Sequence, residues 1–173
     1  MNLRKVDHVG IVVSAIAEAI PLFHDMLGGR FIAGGDNDET GIRLVHLALP
    51  GFKLEIMQPL RADSVLQRHL DRRGPGFHHM TFFVDDLPSS IAELETAGFD
   101  MAETDLSSPR WREAFISPKL SFGTLLQFVD TTLAWDEPAP GIALHDVLAG
   151  RVVWHEHIPC LRSGGGGPRK PGH

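Results

Sequence analysis

One pattern of hydrophobic and polar positions occurs twice along the chain. The segment DHVGIVV at residues 7–13 matches HHMTFFV at residues 78–84, at an offset of 71 residues, and in both segments alternate positions are apolar. Such alternation predicts a half-buried strand. Each segment is followed by a stretch with apolar residues at helical spacing, residues 15–27 and 87–97, and each stretch ends at glycine. Each half of the chain is therefore predicted to begin with a strand and a helix.

Three strand-like runs follow in each half. They lie at residues 31–33, 41–49 and 52–57 in the first half, and at 100–103, 112–116 and 124–129 in the second. The order β-α-β-β-β is thus predicted twice. The predicted organisation is a first module at residues 4–60, a linking helix at 61–75, a second module at 76–130 and a C-terminal extension at 131–173.

The extension has a different composition from the repeats. It opens with a proline-rich linker at residues 135–141 and continues with a stretch at 142–157 that suits either a short helix or an edge strand. Residues 163–173, SGGGGPRKPGH, have the composition of a disordered tail.

Composition and charge exclude several classes of protein. The chain has 173 residues, of which 43% are hydrophobic and 22% charged, as in ordinary globular domains. The net charge of −6 argues against a nucleic-acid partner. There is no apolar run of membrane-spanning length and no secretory leader in the opening residues. A single cysteine, Cys160, suits a reducing cytoplasm.

Four polar residues fall on one face of the predicted sheet. In each module the apolar residues of the first and last strands point to the helices, which leaves His8, Glu55, His79 and Gln127 on the opposite face. The spacing from histidine to oxygen ligand repeats, with 47 residues from His8 to Glu55 and 48 from His79 to Gln127. His46 has no repeated partner and is predicted to lie at the surface. Two imidazoles, a carboxylate and an amide oxygen suit a divalent first-row metal ion. The predicted fold class is therefore α+β, with two tandem βαβββ modules that form a curved mixed sheet around a metal site.

Four segments of the chain resemble the vicinal-oxygen-chelate superfamily, which includes glyoxalase I, extradiol dioxygenases, fosfomycin-resistance proteins and methylmalonyl-CoA epimerase. They are DHVGIVV, ETGIRLVHLALPGFKLEIMQPL, RRGPGFHHMTFFVDDL and EAFISPKLSFGTLLQFVD, and with their surroundings they cover residues 6–130. The likeness is greatest to the epimerase branch. The resemblance implies the glyoxalase-like fold and a homodimer, and its four metal positions fall on His8, Glu55, His79 and Gln127.

The resemblance also implies an activity. It predicts a metal-dependent epimerase or isomerase that removes a proton α to a carbonyl, with a small-molecule substrate such as an acyl-CoA and with cobalt, zinc, manganese, nickel or magnesium as the ion. The general-base glutamate of the family falls near Glu39, which is the first candidate for the base, with Glu113 as the second, and Glu55 is the other catalytic carboxylate. The last metal position, which is usually glutamate, is Gln127 here. An amide cannot shuttle protons, so a mechanism that needs a base there does not transfer.

Two other functions stay open at this point. One is a lyase or a non-haem iron dioxygenase of the same superfamily. A dioxygenase would hold iron with His8, His79 and Glu55, and Gln127 would be displaced. A metal-free protein that binds a small molecule in the concave groove is the third candidate, although it would not need the ligand residues. The metal content of the purified protein distinguishes these possibilities.

Overall fold

The computed structural model describes residues 1–162, so the predicted tail at 163–173 lies outside the described residues. In chain order the elements are β1 (Leu3–Val12), α1 (Ile16–Ile20), β2 (Arg30–Asn37), β3 (Ile42–Leu49), β4 (Phe52–Pro59), α2 (Val65–Arg73), β5 (Gly76–Val84), α3 (Leu87–Thr96), β6 (Met101–Asp105), β7 (Trp111–Ile116), β8 (Leu125–Thr131), α4 (Leu144–Leu148), β9 (Val152–His155) and β10 (Ile158–Leu161). The order β-α-β-β-β occurs twice, and α2 lies in the segment between the two occurrences. No helix within residues 1–162 is long and apolar enough to cross a membrane.

The chain divides into two compact units, and each is built from two separate stretches. The first unit contains Met1–Gly10 and His78–Trp135, with strands in the order β1-β5-β8-β7-β6. In it β5 and β8 are parallel, whereas β8 and β7, and β7 and β6, are antiparallel. Most of β1, the first strand of the first repeat, thus lies in the unit that holds the second repeat.

The second unit contains Ile11–Phe77 and residues 136–162, with strands in the order β10-β9-β2-β3-β4. Its pairs β2–β3, β3–β4 and β9–β10 are antiparallel, and β2 and β9 are parallel. Both units therefore contain mixed sheet with few helices, as the sequence predicts.

Each unit buries the apolar face that the alternation predicts. In the first unit, Leu87 of α3 packs with Val84 and Phe128 of the strands. In the second, Ile16 of α1 packs with Leu54 and Ile56 of β4. The polar residues between these apolar positions on β4 and β8 are thereby directed to the other face of the strands.

The first helix is shorter than predicted because Pro21 interrupts it. The α-helical part ends at Ile20, and Pro21–Met26 continues as a wider π-helical turn. Proline has no backbone N–H to donate to the preceding turn, which accounts for the change of winding.

The C-terminal extension forms both of the elements that its sequence suits. Val147 of α4 enters the core of the second unit with Val45 and Leu47, and β9 pairs with β2 through Asp36 and Val153. A further strand, β10, follows a two-residue turn and pairs with β9. The extension is thus part of the sheet of the second unit and covers the edge of β2.

Candidate metal centre

Two histidine rings meet in the first unit, one from each repeat. His8 lies on β1 and His79 on the neighbouring strand β5, and both are buried. Their Nε2 atoms are 3.4 Å apart, and the rings stand edge to face with centroids 5.4 Å apart. The pairing that the repeated sequence predicts for these two residues is therefore present within one unit.

The ring of His79 occupies space that only glycine leaves open. A Cβ atom placed on Gly10 would lie 2.2 Å from Cε1 and 2.4 Å from Nδ1 of His79. On the other side, Nδ1 of His78 is 3.0 Å from Nδ1 of His79. The β1 backbone and His78 together fix the position of this ring.

The ring of His8 is oriented by the preceding residue. Nδ1 of His8 lies 2.9 Å from Oδ2 of Asp7, which is itself buried. Lys5 Nζ is 3.0 Å from Oδ1 of the same carboxylate and 5.2 Å from the centre of the Phe83 ring. A carboxylate on Nδ1 is the usual partner of a metal-binding histidine, because it leaves Nε2 to coordinate the ion.

Gln127 joins the histidine pair through Thr81, which is fully buried. The hydroxyl of Thr81 donates to Oε1 of Gln127 at 2.5 Å, and its oxygen lies 2.8 Å from Nε2 of His8. The strands place these side chains together, because Thr81 of β5 and Gln127 of β8 are register partners. The amide oxygen of Gln127 therefore lies on the histidine side of its side chain.

Glu113 of β7 lies on the other side of this amide. Gln127 Nε2 donates to Oε2 of Glu113 at 2.7 Å, and Trp111 Nε1 donates to the same oxygen at 2.9 Å. Glu113, the second candidate for the base, therefore contacts a predicted metal ligand. Trp111 packs its ring against Phe83 and Trp135, at centroid distances of 6.0 and 4.7 Å.

Glu55, the predicted carboxylate ligand, belongs to the second unit. Glu55 of β4 is buried, and its Oε1 lies 3.2 Å from Nε2 of His46, its register partner on β3. An unpaired position in the repeat predicts a surface location for His46, and this is wrong, since the residue is 2% exposed. The burial of His46 could have been predicted from the hairpin, because a two-residue turn at Pro50-Gly51 fixes the register that puts His46 opposite Glu55.

Glu39 lies in the exposed turn between β2 and β3. Its backbone N–H donates to Oδ1 of Asn37 at 3.1 Å, and its carbonyl oxygen accepts from Nη2 of Arg61 at 2.9 Å. The backbone of Glu39 thus helps to fix the turn, and the residue is exposed.

Arg112 of β7 forms an ion pair within the first unit. Its Nε donates to Oδ1 of Asp130 at 2.7 Å, and Nη2 donates to Oδ2 of the same carboxylate. Hydrogen bonding to Asp130 raises the pKa of Arg112. The Asp130 carboxylate also accepts from the backbone N–H of Leu87 at 2.9 Å, so this pair anchors the start of α3.

The residues of the first unit fit a divalent metal ion. Two histidine nitrogens bound to one ion at about 2.1 Å are about 3 to 3.4 Å apart, which agrees with the separation of the two Nε2 atoms. The amide oxygen is the kind of neutral ligand that accompanies imidazoles, and Asp7 supplies the partner that orients His8. His8, His79 and Gln127 thus form a donor set of two nitrogens and one oxygen.

The chain has the order βαβββ twice and a mixed sheet with buried histidine and oxygen donors. These features define a class of α+β proteins with a ligand site on the sheet. Comparison with family models places the chain in that class: residues 7–115 match the glyoxalase/bleomycin resistance protein/dioxygenase superfamily, and the chain belongs to it.

Solved structures and a curated relative give a narrower likeness. Methylmalonyl-CoA epimerase from Mycobacterium tuberculosis is 34% identical over 80% of this chain and 90% of that one, with a TM-score of 0.66. A methylmalonyl-CoA epimerase in complex with methylmalonyl-CoA and NH4+ is 26% identical over 79% of this chain and 100% of that one, with a TM-score of 0.67. The ethylmalonyl-CoA/methylmalonyl-CoA epimerase of Cereibacter sphaeroides is 27% identical over 97 residues, which are 56% of this chain and 72% of that protein. The chain therefore has the fold of these epimerases, and the predicted resemblance is confirmed.

Proposed function

We propose that the protein is a metal-dependent epimerase that moves a proton α to the thioester carbonyl of a carboxylated acyl-CoA such as methylmalonyl-CoA. The observation that carries the proposal is the buried set of His8, His79 and Gln127, whose donor atoms are oriented by Asp7 and Thr81. The likeness to methylmalonyl-CoA epimerases supports the choice of substrate.

In this proposal His8, His79, Gln127 and Glu55 hold the ion. Glu55 is included because its position in the first repeat corresponds to that of Gln127 in the second, and because it is a buried carboxylate. A divalent ion supplies a Lewis acid that stabilises the negative charge of an enolate. With a single carboxylate among the four ligands, the loaded site keeps a positive charge that favours an anionic substrate.

The proton step requires a carboxylate near the α-carbon. The candidates from the second unit are Glu39 and Glu55. The base accepts the α-proton, the C–H electron pair forms the carbon–carbon double bond of the enolate, and the carbonyl π electrons move to oxygen. Return of a proton to the opposite face of the carbon gives the epimer. The variants Glu39→Gln and Glu55→Gln separate the two roles, since loss of exchange with full metal content identifies the base.

The proposal includes a homodimer and a reducing compartment such as the cytoplasm. The homodimer follows from the resemblance, and Cys160 is a free, buried thiol that agrees with a reducing environment. Light scattering during size-exclusion chromatography is expected to give twice the chain mass of 19.0 kDa.

The test combines metal analysis with isotope exchange. Protein purified without tag or chelator is expected to contain about one divalent ion per chain, and the Co2+-loaded protein is expected to wash deuterium from D2O into methylmalonyl-CoA. Glu103→Gln, an exposed carboxylate on β6, is the matched control. Absence of exchange by fully loaded protein would overturn the proposed reaction. Iron with oxygen consumption would indicate a dioxygenase, and failure to take up any metal would indicate a binding protein.

A further inference from the structure

We propose that Glu113 is a positioning residue that fixes the amide of Gln127 with its oxygen towards the histidine pair. The inference rests on the proposed function, because it assigns to Glu113 the task of keeping a neutral ligand in its metal-binding orientation. All the residues concerned belong to the first unit. Neither the repeated ligand spacing nor the resemblance assigns this role to Glu113.

The two ends of the Gln127 amide have different partners. Oε1 of Gln127 accepts from Thr81, and Nε2 donates to Glu113. Thr81 does not favour either of the two orientations that a 180° rotation of the Gln127 amide would give, because a hydroxyl both donates and accepts hydrogen bonds. An ionised carboxylate accepts only, so a reversed amide would set its oxygen against the oxygen of Glu113 with no proton between them. Glu113 is therefore the group that decides which end of Gln127 faces His8.

The rotamer of Glu113 is itself supported. Trp111 Nε1 donates to the same Oε2 atom that Gln127 contacts. The Trp111 ring is 7% exposed and is packed against Phe83 and Trp135. An indole N–H is a donor only, so this contact also favours a carboxylate at position 113.

A comparison of the two repeats shows why only one needs such a residue. Glu113 pairs across the strands with Val129, two residues after Gln127, and Leu44 pairs with Met57, two residues after Glu55. Leu44 and Glu113 therefore occupy equivalent positions. A carboxylate ligand such as Glu55 presents two equivalent oxygens and needs no orienting partner, whereas an amide ligand presents one oxygen and one nitrogen. The orienting carboxylate occurs in the repeat whose ligand is the amide.

The experiment measures Co2+ affinity by chelator competition, together with the visible spectrum of the bound ion, in the full chain. Glu113→Leu, which installs the residue of the first repeat, is expected to weaken Co2+ binding about 10- to 100-fold, as for other partners of metal ligands. Glu103→Leu on the neighbouring exposed strand is the control and is expected to bind as the wild type does.

A charge exchange separates positioning from a general loss of structure. Gln127→Glu alone puts two carboxylates side by side and is expected to weaken Co2+ binding at least tenfold. The double variant Glu113→Gln/Gln127→Glu is expected to restore Co2+ affinity to within about threefold of wild type. In it an amide at position 113 donates to a carboxylate at position 127, and the two oxygens of that carboxylate are equivalent as metal ligands. The Co2+ affinities of Gln127→Glu and the double variant therefore test the positioning role of Glu113 even if Glu113→Leu does not fold.

The outcomes distinguish this inference from the proposed function. Wild-type protein that binds no Co2+ overturns both. Wild-type protein that binds Co2+, with unchanged affinity and spectrum in Glu113→Leu, overturns the role of Glu113 alone. A double variant that binds no better than Gln127→Glu alone also overturns it.

Discussion

His46 lies opposite Glu55 on the neighbouring strand, with 3.2 Å between the imidazole Nε2 and the carboxylate Oε1. Gln127 has a partner on its own neighbouring strand, Glu113, at 2.7 Å. The two predicted oxygen ligands are thus each in contact with a polar side chain of the neighbouring strand. The carboxylate of Glu55 lies beside an imidazole nitrogen, and the amide of Gln127 donates to a carboxylate.

The first prediction concerns His46. The register partner of Gln127 is Phe115, so His46→Phe gives the first repeat the residue that the second already has. It is expected to lower the free energy of unfolding by about 1–3 kcal/mol, because a buried carboxylate loses a partner. Urea unfolding measures the change. A double-mutant cycle with Glu55→Leu is the control, and an additive cycle would contradict a direct interaction.

The second prediction concerns the space above Gly10. Gly10→Ala is expected to displace the His79 ring, because the added carbon would lie 2.2 Å from the ring atom Cε1. Co2+ affinity should fall at least tenfold, on the scale seen when ligand orientation is disturbed. Val6→Ala, at an exposed position on the same strand, should bind as the wild type does. Normal affinity in Gly10→Ala would mean that the position of His79 is unimportant for binding.

The third prediction concerns the hydroxyl of Thr81. Thr81→Val keeps the shape of the side chain but removes the donor to Gln127, which leaves a buried amide oxygen short of a partner. Unfolding free energy is expected to fall by about 1–3 kcal/mol, and Co2+ affinity should fall with it. Thr81→Ser retains the hydroxyl and should lose far less of both. Equal losses in the two variants would refute the role of the hydroxyl.

The fourth prediction concerns pH and the end of β10. Arg162 Nη2 donates to Oδ1 of Asp38 at 2.6 Å, and this hydrogen bond lowers the pKa of Asp38. A lowered carboxyl pKa contributes stability above the ordinary value of about 4, and the contribution is lost as the pH falls through the lowered value. The pair is exposed, so Asp38→Asn should lower Tm at pH 7 by no more than about 4 °C.

Measurement of Tm at pH 7 and pH 3 checks this dependence. The difference between wild type and Asp38→Asn should be present at pH 7 and should narrow towards pH 3, because the carboxyl of the unfolded chain takes up its proton below the ordinary pKa of about 4. Asp100→Asn, at an exposed site before β6, should show no comparable difference. A difference that is equal at both pH values would contradict the ion pair.

Sequence reasoning predicted the repeated order of elements and the pairing of His8 with His79, because both depend on period-two alternation and on a repeat. The partners Asp7, Thr81 and Glu113 were missed because each contact depends on the rotamers of side chains on adjacent residues or neighbouring strands, which alternation does not specify. His46 was assigned to the surface because it lacks a counterpart in the second repeat. The strand β10 was missed because a turn of Glu156 and His157, with φ of 48° and 63°, lacks the glycine or asparagine that marks such turns.

The position of β1 has a consequence for the origin of the chain. His8 belongs to the first repeat, yet its strand lies in the same unit as His79 and the rest of the second repeat. A half-length ancestor with one βαβββ repeat would lack this histidine pair as a single chain. Two such chains would have to exchange their opening strands to form it. Gene fusion would then have placed both halves of an intermolecular assembly in one polypeptide, after which the two halves were free to diverge into an acid-bearing and an amide-bearing copy.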